Sequence, residues 1–483
     1  MAGLIALDLF LGRARDALVE VPVVPHDLPI AAALEALAAA NASALLAVDA
    51  QGRLAGLLTE RDVVTRVALK ASASAPVAQF MTPDPIAVSA DEYLYRILGR
   101  LRRRGWRHMP VVDADGKPLG LVARAGALAA AGARVLRELD ILGGLEAALG
   151  DHRTAKAAQI ELAQALLDDG LPAPDIQRIV TEINRDLHRH VVAQHLAELG
   201  PPPVAFTFLI MGSGGRGESF LAPDQDHGMM LADYPDDAHD RIDAWFVEFA
   251  VRISQTLAAI GFELCKGNVM SSNPVWRKTA SQWAEQIGLW IERRTPAALL
   301  TADIFFDFEP IFGDPAPAVR LRGQVAAALK RDAGVARAML GEDRRLKVAL
   351  GLFGRLAPIA SGEHAGEIDL KMSGTMPLVA NARLRALRAG TLATGTRARL
   401  EALDAAGALA PGEAAGLAAA FETVTFFLLR GQLAAARAGR VPGNYVRPSE
   451  LTKPERTRLA DALHAIDLFA AATRAEITGR LLG

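Results

Sequence analysis

Residues 44–64, ALLAVDAQGRLAGLLTERDVV, overlay residues 108–128, HMPVVDADGKPLGLVARAGAL, without a gap at an offset of 64. Asp49, Gly52 and Gly56 fall on Asp113, Gly116 and Gly120. Each copy reads as strand, tight turn and strand, because Asp-Gly in VVDADGK sits where a hairpin needs a positive φ. A helical stretch precedes each copy, at Leu28–Ala40 and Asp91–Arg103. The first part of the chain must therefore build two like α/β units.

At 483 residues the chain is too long for one core, and about three units are expected. Asp and Glu (55) nearly balance Lys and Arg (53), for a net charge of −2, so no polyanion or anionic membrane is indicated as partner. The single cysteine, Cys265, cannot form an internal disulfide and reads as a small buried apolar residue in a reducing compartment. The first twenty residues lack a basic region and a small-residue cleavage site, and no apolar run reaches about 18 residues. A cytoplasmic protein with no membrane partner is the expectation.

The domain reading is an N-terminal segment (1–19), the duplicated region (20–138), a helical connector (139–200), a catalytic core (201–314) and a C-terminal helical substrate-binding domain (315–483). The connector ends at Gly200-Pro201-Pro202-Pro203, and its His188, His190 and His195 match no metal motif, which points to a solvated helix face. From Val204 the pattern turns to a buried strand, a glycine-rich loop, a second strand (Asp226–Ala232) and a helix with Ile242, Trp245, Phe246, Phe249, Ile253, Leu257 and Ile260 on one face. Trp276, Thr279, Trp283, Ile287 and Trp290 suggest another helix, with the tryptophans in the core. A third strand is expected at Asp303–Ile311.

The chemistry concentrates in Gly212-Ser213-Gly214-Gly215-Arg216-Gly217-Glu218 and Asp224-Gln225-Asp226. Glycines directly after a buried strand let backbone N–H groups turn toward an anion, and Ser213 and Arg216 can add donors to a triphosphate. Asp224 and Asp226, two apart on an extended segment, project from one face at about 6.6 Å along the chain. Such a pair suits divalent cations that activate an attacking oxygen and stabilise leaving pyrophosphate. A third carboxylate is expected from the next acidic strand, where Asp303, Asp307 and Glu309 share a face. Asp307, between Phe306 and Phe308, is the choice. Lys266, Asn273, Arg277 and Lys278 are second-rank contacts to phosphate or base. Arg383, Arg385, Arg388, Arg397 and Arg399 read as a solvated basic face or a docking surface for an acidic protein.

The duplicated region resembles the CBS pair, two βαββα units associated through their sheets. The resemblance implies an adenine nucleotide held by Gly56-Leu57-Leu58-Thr59-Glu60-Arg61-Asp62, with Thr59 serving phosphate and Asp62 ribose hydroxyls; Ala123 and Gly126 replace them in the second copy. It also implies a homodimer through the CBS pair. Gly212-Ser213 followed by Asp224-Gln225-Asp226 resembles the polymerase-beta-like nucleotidyltransferase superfamily. Within it the stretch is similar to the PII-uridylyltransferase and glutamine-synthetase adenylyltransferase branch, and most to nucleotidyltransferases that follow a CBS pair. Cys265-x-Gly267-x-Val269-Met270-x-x-Asn273-Pro274-x-Trp276-Arg277, Asp307…Gly313-Asp314 and Glu367-Ile368-Asp369-Leu370-Lys371 match that family too. The fold implied is α/β and α multi-domain: a CBS pair, a mixed sheet with helices, and a C-terminal helical domain.

The resemblance implies transfer of NMP from an NTP, with Asp224, Asp226 and Asp307 binding Mg²⁺ or Mn²⁺. Nucleotide contacts would come from Gly212, Ser213, Gly214, Arg216, Lys266, Asn273 and Arg277. Glu309 departs from the family, which usually has Arg there. His239-Asp240 is a lone dipeptide, so no hydrolytic His-Asp domain and no deuridylylating activity are expected. The acceptor is expected to be a protein side chain and not a nucleic acid, because the chain lacks a surplus of positive charge. A non-catalytic nucleotide sensor that keeps the fold stays open. Gly212-x-Gly214-x-x-Gly217, with Asp233 beyond, also fits a dinucleotide fingerprint, but about eight residues including Pro223 leave no room for the crossover helix.

Overall fold

The computed structural model describes residues 12–68, 72–124, 152–295, 302, 304–331, 333–343 and 346–479. Gly126 and Asp303 lie outside the described residues. The chain divides into two compact units, 1–165 and 166–483, each described by itself.

In the first unit the repeat is visible strand by strand. A four-stranded sheet runs β1 (Val23–Pro25), β2 (Ala44–Val48), β3 (Leu54–Thr59) and β4 (Thr82–Pro83). A three-stranded sheet runs β5 (Val88–Ser89), β6 (His108–Val112) and β7 (Pro118–Ala123). In both, a short strand lies parallel to the first member of an antiparallel hairpin, and Ala47 facing Gly56 is matched by Val111 facing Gly120. The turns are built alike. Asp49 Oδ1 accepts from the N–H groups of Gln51 (2.9 Å) and Arg53 (2.8 Å), and Asp113 Oδ1 from those of Asp115 (2.9 Å) and Lys117 (2.8 Å). Gly116 takes φ +79°, as the Asp-Gly pair predicts. The Ile30–Ala39 helix buries Ile30, Ala33 and Leu37 against Leu45, Ala47 and Leu58. The copies meet where the Leu54 N–H donates to the Gly116 carbonyl (2.9 Å) and Ser43 Oγ pairs with His108 Nε2 (2.9 Å).

The second unit centres on a mixed sheet of order β10-β9-β8-β11, where β8 is Phe206–Ile210, β9 His227–Leu231, β10 Arg277–Thr279 and β11 Glu309–Phe312. β8 is antiparallel to β9 and to β11, and β10 is parallel to β9. The His239–Ile260 helix buries six of the seven residues its spacing marks, leaves Trp245 half-buried, and ends at Gly261.

Three boundaries move. The tryptophan-striped helix begins at Ala280, because Thr279 caps it: its hydroxyl accepts from the Gln282 N–H (3.2 Å) while Gln282 Oε1 accepts from the Thr279 N–H (3.0 Å). Arg277–Thr279 before it is strand. The third strand starts only at Glu309, since Phe305, Phe306 and Phe308 turn into a core with Trp276, Trp283 and Trp290, the Phe305 ring stacking on Trp283 at 4.3 Å. Three large rings spaced one and two apart cannot alternate across a sheet. Finally, the Ala173–Leu199 helix is no detached connector, for it packs on the His239–Ile260 and Glu413–Arg437 helices and on β11. His188 and His195 are accordingly buried and only His190 is exposed, contrary to the solvated face expected.

The remainder is helical. The Glu413–Arg437 helix is the one described helix long and apolar enough to cross a membrane, yet Phe421, Val424, Phe427 and Leu428 bury it in the core that also holds Leu378, Leu459 and Ile466. Two helices, Met376–Ala389 and Thr396–Ala405, reach the sheet through one charged node. Asp307, with no solvent exposure, accepts from Arg216 Nη1 (2.8 Å), Arg383 Nη1 (3.0 Å) and Arg399 Nη2 (2.6 Å). Burial opposes its ionisation, but the charges of Arg383, Arg399 and Arg216 outweigh burial and hold its carboxyl at about 2.

Asp307→Asn should destabilise the protein by about 3–5 kcal/mol, because Arg383 and Arg399 stay buried without a counter-charge and Arg216 keeps only Glu218. The stability that the depressed carboxyl contributes is complete above its unfolded value of about 3.9 and is lost as pH falls through about 2. Urea unfolding at pH 7 and between pH 4 and 2 checks both. A parental midpoint in the variant would contradict the assignment.

Candidate active site

The glycine loop is a single helical turn, Gly212–Arg216, at the end of β8, closed by Gly217 in the left-handed region. Its first internal bond runs from the Gly215 N–H to the Met211 carbonyl (3.1 Å), so the preceding N–H groups stand outside the turn's own ladder. Gly212 is required twice over: its φ is +57°, and a Cβ there would lie 2.6 Å from Asp226 Oδ2. At Gly215 a Cβ would come within 1.6 Å of the Asp307 carbonyl oxygen, which is how the loop settles against the segment before β11.

The Asp-x-Asp spacing works through its middle residue. Gln225, fully buried, donates its amide to the carbonyls of Ser254 (3.0 Å) and Phe262 (3.0 Å). Its Oε1 accepts from His227 Nε2 (3.2 Å), whose Nδ1 accepts from the Ser271 N–H (3.2 Å). Burial, with the charge of His188, holds the His227 imidazole down at about 3, so the ring is neutral and the bonds define its tautomer. Since alternate residues face opposite ways, locking Gln225 inward turns Asp224 and Asp226 to the other side. Asp224 is exposed and forms a parallel bridge with Glu263, while Asp226 is half-buried. Burial raises the Asp226 carboxyl, the Cys265 thiol that hydrogen-bonds to it and Lys371 and Arg216 draw it down, and the Asp224 charge raises it further.

Asp224, Asp226, Ser213 and Gly214 line one cleft with Thr181, Asn184, Arg185 and His188 of the Ala173–Leu199 helix. That helix also grips the loop: Arg185 donates to the carbonyls of Gly214 (2.6 Å) and Gly215 (3.0 Å), and Thr181 Oγ1 accepts from the Ser219 N–H (2.8 Å). These helix residues were not legible beforehand, because nothing in helical periodicity tells which face meets a loop thirty residues away.

Several expected roles fall to other work. Asp307 does not join Asp224 and Asp226 as a third carboxylate, since both its oxygens are taken by arginines, and no group of three His, Cys, Asp or Glu able to hold a metal occurs among the described residues. Arg216 turns inward to Glu218 Oε2 (2.7 Å) and Asp307, away from a triphosphate. Arg277 is buried against Asp243 Oδ1 (2.8 Å) and the Ser271 carbonyl (2.6 Å), and Asn273 caps its own turn, accepting from the Val275 N–H (3.0 Å). Lys266 is exposed beside Cys265, and Cys265 is half-buried against Asp226, not an inert core thiol. The basic run is not a solvated face either: Arg383 and Arg399 are buried on Asp307, Arg397 pairs with Asp175, and Arg385 and Arg388 pair with Glu476. The dinucleotide reading ends with the antiparallel β8–β9 pairing, and Asp233 instead accepts from the Ser281 N–H (3.0 Å) and hydroxyl (2.7 Å).

In the first unit Thr59 and Asp62 close a capping box: the Thr59 hydroxyl donates to Asp62 Oδ2 (2.7 Å), and Asp62 Oδ1 lies 3.3 Å from Arg66 Nε.

Residues 157–297 match the family described as "Putative nucleotidyltransferase DUF294", and residues 333–477 match "Putative nucleotidyltransferase substrate binding domain". Residues 15–69 and 77–131 each match the CBS domain. An uncharacterised 17.7 kDa protein of Acidianus ambivalens is 33% identical over 104 residues, 22% of this chain and 63% of that protein. The CBS domain-containing protein CBSCBSPB5 of Arabidopsis thaliana is 33% identical over 119 residues, 24% of this chain and 22% of that protein. The chain thus spans less than two thirds of these curated relatives. Among solved structures, the CBS-pair protein CBSX2 from Arabidopsis thaliana (25% identity, 25% of this chain, 93% of that one) has a TM-score of 0.21. A CBS domain protein from Pyrobaculum aerophilum complexed with AMP (22% identity, 26% and 98% covered) has a TM-score of 0.24. The chain therefore carries a pair of CBS domains, a nucleotidyltransferase domain of the DUF294 type and the substrate-binding domain that accompanies it.

Proposed function

We propose that this protein transfers NMP from an NTP to a protein side chain, in the manner of PII uridylyltransferase, under control of an adenine nucleotide at its CBS pair. The observation that carries the reading is the pair Asp224 and Asp226, turned outward by the inward lock on Gln225 beside the glycine loop. The donor set fits one hard divalent cation, Mg²⁺ or Mn²⁺. Two carboxylates near enough for Asp224 to disfavour ionisation of Asp226 are the donors such an ion wants, with phosphate and water completing its shell. When bound, the ion would neutralise charge developing on the α-phosphate and the departing pyrophosphate. Gly212 keeps the space that Asp226 needs, Ser213 and the loop N–H groups face the phosphates, and Cys265 orients the Asp226 carboxylate.

The protein acceptor is favoured by where the arginines go. A tailing enzyme must neutralise several backbone phosphates, and the basic run of the C-terminal helices is spent on Asp307, Asp175 and Glu476. At the CBS pair the first copy keeps Thr59 and Asp62, joined to each other in a capping box, and Ala123 cannot repeat the role of Thr59 in the second. The alternative, a nucleotide-sensing protein without turnover, is favoured by the lack of a third carboxylate beside the pair among the described residues.

Asp226→Asn should lower transfer by about 10²–10⁴-fold, each tenfold being 1.36 kcal/mol. Incubation with labelled NTPs, Mg²⁺ or Mn²⁺ and lysate measures it, and parental turnover in the variant would refute the metal role. In the same assay the labelled product should survive nuclease and vanish with protease; label confined to nucleic acid would reverse the acceptor. Calorimetry of the full chain with AMP, ADP and ATP should show one adenine-nucleotide site at the CBS pair that Asp62→Ala abolishes, and two equal sites or none there would contradict the half-site.

A further inference from the structure

Of the twelve large apolar side chains exposed among the described residues of the second unit, six sit on one platform: Leu352, Phe353, Ile359, Met372, Val441 and Tyr445. Exposed apolar residues scattered singly are ordinary, but a cluster of them held in water marks a surface that meets something else.

Four segments are hydrogen-bonded into this platform. A hairpin closed at the Leu350–Leu356 bridge carries Leu352 and Phe353 at its tip. The Ala357 N–H donates to the Ala349 carbonyl (3.0 Å), and the Ala349 N–H donates to the carbonyl of Ser373 (3.0 Å), the neighbour of Met372. A second hairpin is tied where the Ile359 N–H donates to the Glu367 carbonyl (2.8 Å) and the Gly366 N–H to the Ile359 carbonyl (2.8 Å). It runs into β12 (Ile368–Asp369), which pairs with β13 (Tyr445–Val446), and the Leu370 N–H donates to the Asn444 carbonyl (3.0 Å) just after Val441. Beneath, Ala349, Ile368 and Leu370 share a core with Phe220, which lies between the glycine loop and Asp224.

At the tip, exposure and strain coincide. Leu352 is 83% exposed and Phe353 94%, and Phe353 holds φ +59°, in the left-handed region that turns usually give to Gly or Asn. A benzyl side chain there costs backbone free energy and gains no packing, so folding does not account for it. The rim supplies the sign of the partner. Lys347, Arg355 and Arg440 are exposed, with no ion pair or side-chain hydrogen bond among the described residues. Of the carboxylates on these segments, Glu367 is taken by His364 and Arg447 and Asp369 by backbone N–H groups, which leaves Glu363. A positive rim around an apolar centre is complementary to an acidic, apolar stretch of another protein. It suits single-stranded nucleic acid less well: Tyr445 is already stacked on His364 with ring centroids 3.4 Å apart, so Phe353 is the one open ring among four non-aromatic neighbours.

We propose that this platform is where the acceptor protein docks, through an acidic and apolar segment into which Phe353 inserts as the anchor. The proposal rests on the reading of the acceptor as a protein. It places recognition of the acceptor on residues that take no part in binding the nucleotide, so the two can be damaged separately.

The test titrates the full chain with a short amphipathic peptide of Glu, Leu and Ala, with its counterpart carrying Lys for Glu, with oligouridylate and with vesicles containing phosphatidylserine. The acidic peptide should bind, and the basic one should not. Phe353→Gly should weaken that binding by about 10–30-fold, the loss expected of an aromatic anchor, while the melting temperature stays at or above the parental value because glycine relieves the positive φ. Leu352→Ser and Arg355→Glu should weaken it too, and Leu468→Ser, an exposed apolar residue on the Lys453–Thr478 helix, should change nothing. In lysate with labelled NTP, Phe353→Gly should label protein correspondingly less at unchanged NTP affinity. Parental peptide affinity or parental labelling in Phe353→Gly would overturn the proposal. So would binding of oligouridylate or vesicles that the substitution abolishes, or a dimer of this chain that it dissolves. A parent that binds the acidic peptide through the platform yet labels no protein would overturn the transferase reading alone, which separates the two failures.

Discussion

Asp307 has no exposed surface and holds three guanidinium groups. Removing so many charges from water is costly, and only close mutual contact makes it tolerable. The partners come from three places: Arg216 from the glycine loop, Arg383 and Arg399 from two helices of the C-terminal domain. Glu218 extends the cluster by accepting from Arg216 and from the Thr396 N–H (2.6 Å). The glycine loop is thereby fixed to the helical domain from beneath, and neither can shift without exposing unpaired charge in a dry interior. Every other feature of the site is set on this joint.

Above the joint a second constraint decides what faces outward. Gln225 and His227 form a short buried chain of hydrogen bonds that ends on backbone at Ser254, Phe262 and Ser271. Because each polar atom in that chain has its partner, the segment cannot slip by one residue, and a slip of one would bury Asp224 and Asp226. Carboxylates that would otherwise seek water are kept beside the loop by the residue between them. Burial of Asp226 raises its carboxyl, a cost that a bound cation would remove.

Most of the architecture could be read from local pattern. The 64-residue repeat is reproduced in the parallel strand and hairpin of each copy because its information is short-range: alternation, an Asp that caps its own turn, a glycine at positive φ. The loop and the Asp pair were also legible, since a glycine run after a buried strand and a two-residue spacing are both local. The misplaced third strand shows the limit. Phe305, Phe306 and Phe308 carry strand propensity, but their packing around Trp283 overrode it.

By itself the sequence determined the duplicated α/β unit, the mixed-sheet core with its helices, and the outward pair Asp224 and Asp226. The duplicated unit and the Asp pair depend on residues within about one turn or one hairpin of each other, where spacing alone dictates direction. Tertiary structure decided the fate of the charges. Arg383 and Arg399 look like surface arginines in an Ala- and Leu-rich helix, and Asp307 looks like a metal ligand, until folding brings positions 76 and 92 residues apart within hydrogen-bond distance. The same folding brought His188 to the site and turned Arg216 away from it. Whether a charged side chain meets solvent, a ligand or a counter-charge is settled by long-range packing, and no local pattern encodes it.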